Sequence, residues 1–428
     1  MRLIRSRELK GQFLDDILNR GRLEFESVAE DVKGIIESVS TRGDEALFEF
    51  TQKFDGVRLD SCTIRATRED IDAAYSLTRE VEVRALRKAA SNIKRFHKMQ
   101  FSRIAFEQSS GGVTLGVSTR PVSSVGIYAP GGKTSYPSSV LMCAIPAKIV
   151  GVERIVMCSP PSPKRKFNPY ILVASDIAGV DEIFCVGGAQ AIAAMAYGTK
   201  TISSVEKIVG PGNIYVTAAK QLLSERVSVD LPAGPSEILI IADDSANARF
   251  ITSDLLAQAE HDENATCILL TSSERTANEV RERVCENLKI GLGSETARIA
   301  LDKKGIIIIV DDLEEATTLT NLIAPEHAVI MTRDPSSLFP KIRNAGLIFL
   351  GQYSPVAVGD YSAGTNHVLP TGGSAKNYSG LSVRDFVKTI SYVCCSREGL
   401  KSLAKTTVTL AEIENLRAHS ESIKARGV

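Results

Sequence analysis

The sequence predicts an α/β protein in which two successive parallel-sheet units are flanked by helical segments at either end. Two observations carry this. From about residue 113 to residue 350, short apolar runs bounded by turn residues alternate with helix-length stretches, the alternation that builds a parallel sheet. Before and after that region the apolar residues recur at helical spacing instead. A chain of 428 residues is long enough for about two to four structural units, each with a core. The changes of pattern divide it into a helical segment over 1–105, an α/β unit over 106–232, a second over 233–375 and a helical tail over 376–428.

Residues 1–105 read as helical. Val28, Val32, Ile35, Ile36 and Val39 share one face, as do Val83, Leu86, Ala90 and Ile93, and Gly43-Asp44 and Asp55-Gly56 break the pattern as turns. His97, on a Lys/Arg-rich helix, reads as a packing or surface residue. In the first α/β unit, 155–158, 183–186 and 205–209 read as buried strands, with helices over 169–178, 189–197 and 213–225. In the second, strands are expected at 238–242, 266–271, 306–310, 328–331 and 347–350, with a helix over 246–261 among the connections. From about 378 the chain reads as helical again. Thr409 and Glu412 have the spacing of a capping box, which predicts a helix starting there with Ile413, Leu416 and Ile423 on its apolar stripe.

Composition excludes several classes. Lys plus Arg equals Asp plus Glu at 51 each, so nothing points to a nucleic-acid partner or an acidic tail. The eight cysteines include no C-x-x-C pair and several sit in apolar runs, as reduced, structural thiols do. Neither a signal-peptide core nor an uncharged apolar run of membrane-spanning length occurs, so a soluble, cytoplasmic protein with no membrane partner is expected.

The candidate chemistry lies in turns and histidines. Gly126 to Thr134 falls one residue short of a P-loop, because the place that needs glycine is Ile127, and no G-x-G-x-x-G occurs. Gly187-Gly188-Ala189-Gln190 and Gly210-Pro211-Gly212-Asn213 each follow a predicted strand, at the edge where open α/β sheets bind ligands and helix N-termini favour phosphate. The same glycines would serve equally as plain tight turns. Of five histidines in the chain, His261, His327, His367 and His419 fall in its last two-fifths, beside other groups able to bind metal or move protons. Gln258 and His261, three apart on a helix, share a face, and with Asp360 and a further imidazole they would make an N/O donor set suited to zinc. Read without other information, His261 could as well end its helix favourably and Asp360 cap a turn.

Taken together, the motifs Tyr128-Ala129-Pro130-Gly131-Gly132, Gly187 to Ala191, Gly210 to Asn213, Leu231 to Glu237, Gln258 to His261, Ala324 to His327 and Gly359 to His367 resemble the histidinol dehydrogenase family. The resemblance runs in register from about residue 25 to the end. It implies two incomplete Rossmann-like domains, and two NAD molecules that oxidise L-histidinol through an aldehyde to L-histidine on a zinc-containing homodimer. It also implies that Gln258, His261, Asp360 and His419 hold zinc; that these four together with Ser236, His327, His367 and Glu414 surround the substrate; and that Tyr128, Gln190 and Asn213 line the NAD site. The C-terminal tail would reach the partner subunit. Glu414 and His419 are five apart, about 140° around a regular helix, so one helix could present both to a ligand only from its two flanks or past a frayed end. By residue type, His327 is the natural base for the alcohol and Glu326 for the water that adds to the aldehyde.

Two other classes are compatible with these residues. A metallohydrolase would use the same residue types without needing the two phosphate-suited turns. A non-catalytic relative would have lost Glu326, His327 or a metal ligand, and none is lost. A sibling dehydrogenase acting on a different alcohol would share every motif.

Overall fold

The computed structural model of the chain describes residues 1–428 except 21–26, 132–134, 163–166 and 232–233; the end of the near-miss phosphate loop, 132–134, and part of the 231–237 motif thus lie outside the described residues. The chain begins with a strand, β1 (Arg2–Arg5), and continues through helices that include Gln12–Leu18, Ala29–Arg42, Asp44–Asp55 and Glu80–Phe101. The predicted helical faces are the buried ones: Val32, Ile35, Ile36 and Val39 in one helix, Val83, Ala90 and Ile93 in another. His97 is a core residue, its Nδ1–H donating to the Ile93 carbonyl at 2.9 Å. Strand β1 corrects the helical reading of the first residues. Four residues show no period, and this strand exists because the edge of a distant sheet supplies its partner, with Leu3 opposite Ile307.

An antiparallel pair, β2 (Phe106–Ser110) and β3 (Val113–Pro121), leads into β4 (Ser124–Tyr128), β5 (Arg154–Ser159), β6 (Glu182–Cys185), β7 (Lys207–Val209) and β8 (Ser228–Val229). The last five form a parallel sheet in the order β6-β5-β4-β7-β8. The next five strands, β9 (Glu237–Ala242), β10 (Thr266–Thr271), β11 (Gly305–Ile309), β12 (His327–Met331) and β13 (Leu347–Leu350), form a second sheet in the order β1-β11-β10-β9-β12-β13. Apart from β1, the two sheets wind alike. Each starts in the middle, adds two strands on one side and then crosses to the other, which is Rossmann-like winding with switch points between β4 and β7 and between β9 and β12.

Both faces of each sheet are covered, which is why its strands are apolar throughout rather than alternating. Ile155 and Met157 enter one core layer while Val156 and Cys158 enter the opposite one. Ile238 and Ile240 are likewise separated from Leu239 and Ile241. Burial pushes the Cys143, Cys158 and Cys267 thiols up, the behaviour of inert core cysteines. No helix among the described residues is long and apolar enough to cross a membrane.

The C-terminal segment departs from its helical reading. Strand β14 (Val387–Cys395) pairs antiparallel with β3 in a three-stranded sheet, β14-β3-β2. The helix after it spans Arg397–Ile413 and is capped by Ser396, whose side chain accepts the Gly399 N–H at 3.1 Å. Thr409 therefore lies inside this helix, its hydroxyl bonded back to the Lys405 carbonyl at 2.9 Å. Its spacing to Glu412 imitates a start because a mid-helix threonine can satisfy its hydroxyl one turn back. The helix stops at Glu414, Asn415 turns left-handed at φ +59°, and a separate helix runs Arg417–Lys424. Glu414 and His419 thus do not share one helix, which removes the geometric conflict that a continuous helix would create.

One buried ion pair fixes the carboxyl edge of the first sheet. Gly210 (φ +114°) comes so close to β4 that a Cβ there would lie 2.2 Å from the Tyr128 carbonyl oxygen, a contact only glycine permits. The Gly210 N–H donates to Asp230 at 2.7 Å and its carbonyl accepts from Lys220 Nζ at 3.0 Å. The Lys220 and Asp230 side chains are bonded to each other and are 4% and 0% exposed. Removing one partner strands the other charge in a dry site. Lys220→Met should therefore cost about 3–5 kcal/mol, seen as a large fall in the thermal unfolding midpoint; an unchanged midpoint would show that the pair does not brace this edge.

Candidate active site

The Glu326–His327 pair sits where a helix hands over to a strand. Helix Leu313–Ile323 ends in Ala324, which takes a left-handed conformation at φ +50° without being glycine, a strained choice that tertiary contacts must hold. Pro325 and Glu326 then turn the chain, and His327 opens β12 opposite Ile238 of β9. Glu237, the first residue of β9, holds both members of the pair. Its N–H donates to Glu326 Oε2 at 2.8 Å, and its carbonyl lies 3.0 Å from His327 Nδ1. A carbonyl only accepts, so Nδ1 carries the hydrogen and Nε2 is the nitrogen left to take or give a proton. Nε2 lies 3.4 Å from Asp360 Oδ1 and has no hydrogen-bond partner.

Burial sets the electrostatics. It raises Glu326 above its ordinary range, opposed by His327. It would lower His327, but the nearby Glu326 and Asp360 carboxylates outweigh it and hold the imidazole well above its ordinary value. Burial works against Asp360 too, yet His327 keeps that carboxyl below its usual range. The three groups form a coupled set whose protonation steps belong to the set rather than to one residue.

His367 is positioned by the loop that follows Asp360. Gly364 (φ +106°) packs against the helix Glu80–Phe101 so tightly that a Cβ would lie 2.5 Å from the Asn92 carbonyl oxygen. Asn366 donates from Nδ2 to the Met142 carbonyl at 2.7 Å and accepts the Val368 N–H at 2.9 Å. Met142 is four residues before Pro146, which lies inside helix Pro137–Val150; proline has no N–H to return, so this carbonyl is free for Asn366. His367 Nδ1–H donates to the Asp360 carbonyl at 2.8 Å, and its Nε2 accepts from the Ser139 hydroxyl at 3.0 Å. Burial lowers its pKa despite Asp360, which keeps the ring neutral. Both ring nitrogens are thus engaged within the chain.

A cleft of about 840 Å³ brings these groups together with residues from both sheets. Asn213, Ser236, Gln258, His261, Glu326, His327, Asp360 and His367 all line it. Asn213 caps the helix Ile214–Leu222, its Oδ1 accepting the Val216 N–H at 3.1 Å. Gln258 is on the last turn of helix Ala248–Ala259, while His261 lies beyond that helix's end and is exposed. The shared helical face expected of Gln258 and His261 is therefore not what joins them; the cleft is. Tyr128 and Gln190 do not line it. Tyr128 is buried, its hydroxyl accepting the Gly188 N–H at 3.1 Å and pushed up to about 12 by that burial, and Gln190 is buried with its amide oxygen packed against Gly188. Glu414 and His419 also lie outside the cleft lining and are exposed.

Gln258, His261 and Asp360 offer nitrogen and oxygen donors of the kind zinc accepts. Among the described residues no three His, Cys, Asp or Glu side chains gather in a group that could hold a metal ion. The donors of one chain fit zinc in type and fall short in number. Sequence reasoning missed Ser139, Asn366, Glu237 and Arg20. A proline inside a helix and an asparagine next to a candidate histidine were the available signals for Asn366; the others act through contacts between residues far apart in the chain.

Residues 18–427 match the family model described as histidinol dehydrogenase. The histidinol dehydrogenase of Methanothermobacter thermautotrophicus is 48% identical over 99% of this chain and 99% of its own length, and that of Methanocaldococcus jannaschii is 46% identical over 98% and 97%. The crystal structure of histidinol dehydrogenase from Elizabethkingia anophelis superposes with a TM-score of 0.92 at 36% identity, covering 100% of this chain and 98% of that one.

Asn366→Ala should leave the Met142 carbonyl and the Val368 N–H without partners, at a cost of about 1–3 kcal/mol measurable in thermal unfolding. Adding Pro146→Ala, which supplies the missing N–H, should recover part of that loss; a purely additive double variant would show that proline and asparagine are not coupled here.

Proposed function

This chain belongs to the histidinol dehydrogenase family, an oxidoreductase of histidine biosynthesis, and we propose that it converts L-histidinol to L-histidine through histidinal in two NAD-dependent steps within this cleft. The observation that carries the reading is the Glu326–His327 pair, with His327 Nε2 unpaired beside Asp360, opening into a cleft whose other wall is the Gly212–Asn213 turn. A base, an electrostatic partner and a cofactor-suited turn then share one space. The net reaction is balanced by one water: the alcohol, two NAD⁺ and water give the carboxylate, two NADH and three protons. Metal-binding is assigned to Gln258, His261 and Asp360 with His419 of a second copy, substrate contacts to Ser236, His327, His367, Glu414 and the same four ligands, and cofactor contacts to Asn213, Tyr128 and Gln190. When bound, zinc would orient the substrate through its amine and imidazole nitrogens, and NAD would supply the hydride acceptor.

The chain's own residues perform the proton transfers. In the first oxidation His327 Nε2, with Nδ1–H tied to Glu237, takes the hydroxyl proton as hydride leaves the carbon. Before the second, water adds to the aldehyde: Glu326, raised by burial above its ordinary value, takes the water's proton while His327 returns its own to the former carbonyl oxygen, which gives the hydrate and frees Nε2. His327 then accepts the hydrate's hydroxyl proton as the second hydride leaves. Tyr128 and Gln190 contribute at the Gly187–Gly188 turn, by holding its backbone in place. Because one cleft serves both steps, the aldehyde need not leave between them.

A second copy of the chain is part of this reading. Glu414 and His419 do not reach their own cleft, and the C-terminal region exposes a large apolar surface: Val393 is 67%, Leu410 54% and Ile413 70% accessible. A long, unpaired apolar strand edge such as β14 invites a partner, and the missing metal donor would come with it.

Two measurements test these assignments. Glu326→Gln should slow acid formation from supplied aldehyde by about 10²- to 10⁴-fold while leaving the single-turnover NADH burst from the alcohol far less affected, whereas His327→Asn should suppress both; loss of the burst alone in Glu326→Gln would reverse the roles. Co-refolding inactive His419→Asn with inactive His327→Asn should regain activity, because some mixed dimers hold one site free of both defects. No recovery in chains shown to have exchanged would place each site within one chain.

A further inference from the structure

Glu237 is bound at both its ends. Its backbone holds Glu326 and His327, as described, and its carboxylate meets Arg20 in a two-point pair, Nε to Oε1 at 2.6 Å and Nη2 to Oε2 at 2.8 Å. Oε1 also accepts the Gly372 N–H at 2.9 Å. The Arg20 and Glu237 side chains are only 6% and 5% exposed. Arg20 in addition donates to the carbonyls of Ile17 and Ile323, at 2.8 and 3.1 Å. Ile323 is the last residue of the helix that leads through Ala324 to Glu326. One guanidinium therefore grips the strand start that supports the pair and the helix end that precedes it.

No step of the reaction uses the charge of either residue, and a buried ion pair is poor evidence of a stability role, because apolar side chains of similar size would often do as well. What apolar side chains cannot supply is direction. A planar fork on a carboxylate permits one relative orientation, and this carboxylate belongs to the residue whose N–H and carbonyl set Glu326 Oε2 and His327 Nδ1.

We propose that Arg20 and Glu237 are positioning residues for the reaction, through which the N-terminal arm of the chain fixes the aim of Glu326 and His327 into the cleft. The arm is suited to this because β1 anchors it on the second sheet, the same sheet that carries the pair, and Leu18 and Asn19 form part of the cleft wall. The proposal rests on the assignment of the proton transfers to Glu326 and His327.

The test uses full-length variants assayed for NADH formation from histidinol with zinc and NAD present. Arg20→Met should lower kcat by about 10²-fold, the scale of a misplacement of about 1 Å, with both KM values within about threefold of the parent. In a His327→Asn background the same change should cost less than about twofold more, since residues that act as a unit are not additive. The double variant Arg20→Met/Glu237→Met removes the charge mismatch and should regain the unfolding midpoint without regaining kcat; it also carries the test if Arg20→Met alone does not fold. Parental turnover in the folded double variant, or a full multiplicative loss in the His327→Asn background, would overturn the proposal. If instead His327→Asn alone turns over at the parental rate, the proton-transfer assignment has failed and the positioning role falls with it, a result separable from the first two.

Discussion

The site depends on the parallel pairing of β9 with β12. Because His327 stands opposite Ile238, Glu237 is one place beyond the ladder, and its N–H and carbonyl are free to bind side chains. Those two groups choose the His327 tautomer and point Glu326 Oε2. In a buried setting such bonds are worth more than in water, and leaving any of them unmade is costly. A shift of one residue in this register would send His327 to the other face of the sheet.

The two parallel sheets share a winding and use opposite edges. The first offers its carboxyl edge, where Gly210 to Asn213 leave β7; the second offers its amino edge, where Glu237 and His327 begin β9 and β12. At the carboxyl edge of the second sheet, the place a nucleotide would occupy by the general rule, the chain's own Asp243 accepts the N–H groups of Arg333 and Ser245 at 2.9 Å each. Burial works against that carboxylate, and those bonds nevertheless hold it below its ordinary range. A carboxylate occupies this edge as an anion would. The cleft lies between the Gly212–Asn213 turn of one sheet and the Glu326–His327 pair of the other.

The same division explains how the ends of the chain are used. The N-terminal arm is drawn into the second sheet, and through Arg20 it reaches the support of the pair. The C-terminal strand and helices turn away from the cleft and leave apolar side chains in solvent. Within one chain the donors suited to zinc are too few, and the outward-facing tail carries the remaining candidate, His419.

The sequence by itself determined the period of each long element, the succession of buried strands, and the types and order of the residues at the site. Apolar runs such as Ile238 to Ala242, bounded by turn residues and alternating with helix-length stretches, read as buried strands from local pattern alone. Strand β1 and strand β14 were not legible in this way, because a strand is completed by a partner that sequence spacing does not specify. The false helix start at Thr409 has the same origin: a local hydrogen-bond pattern with two solutions, between which the preceding strand and the Ser396 cap decide. Only the tertiary structure decided that Asn366 would serve a carbonyl orphaned by Pro146, that Tyr128 and Gln190 would pack at a turn rather than on the cleft wall, and that Arg20 would meet Glu237. Each of these is a contact between residues distant in the chain, and its geometry is set by how the sheets and helices pack, which periodicity and spacing do not encode.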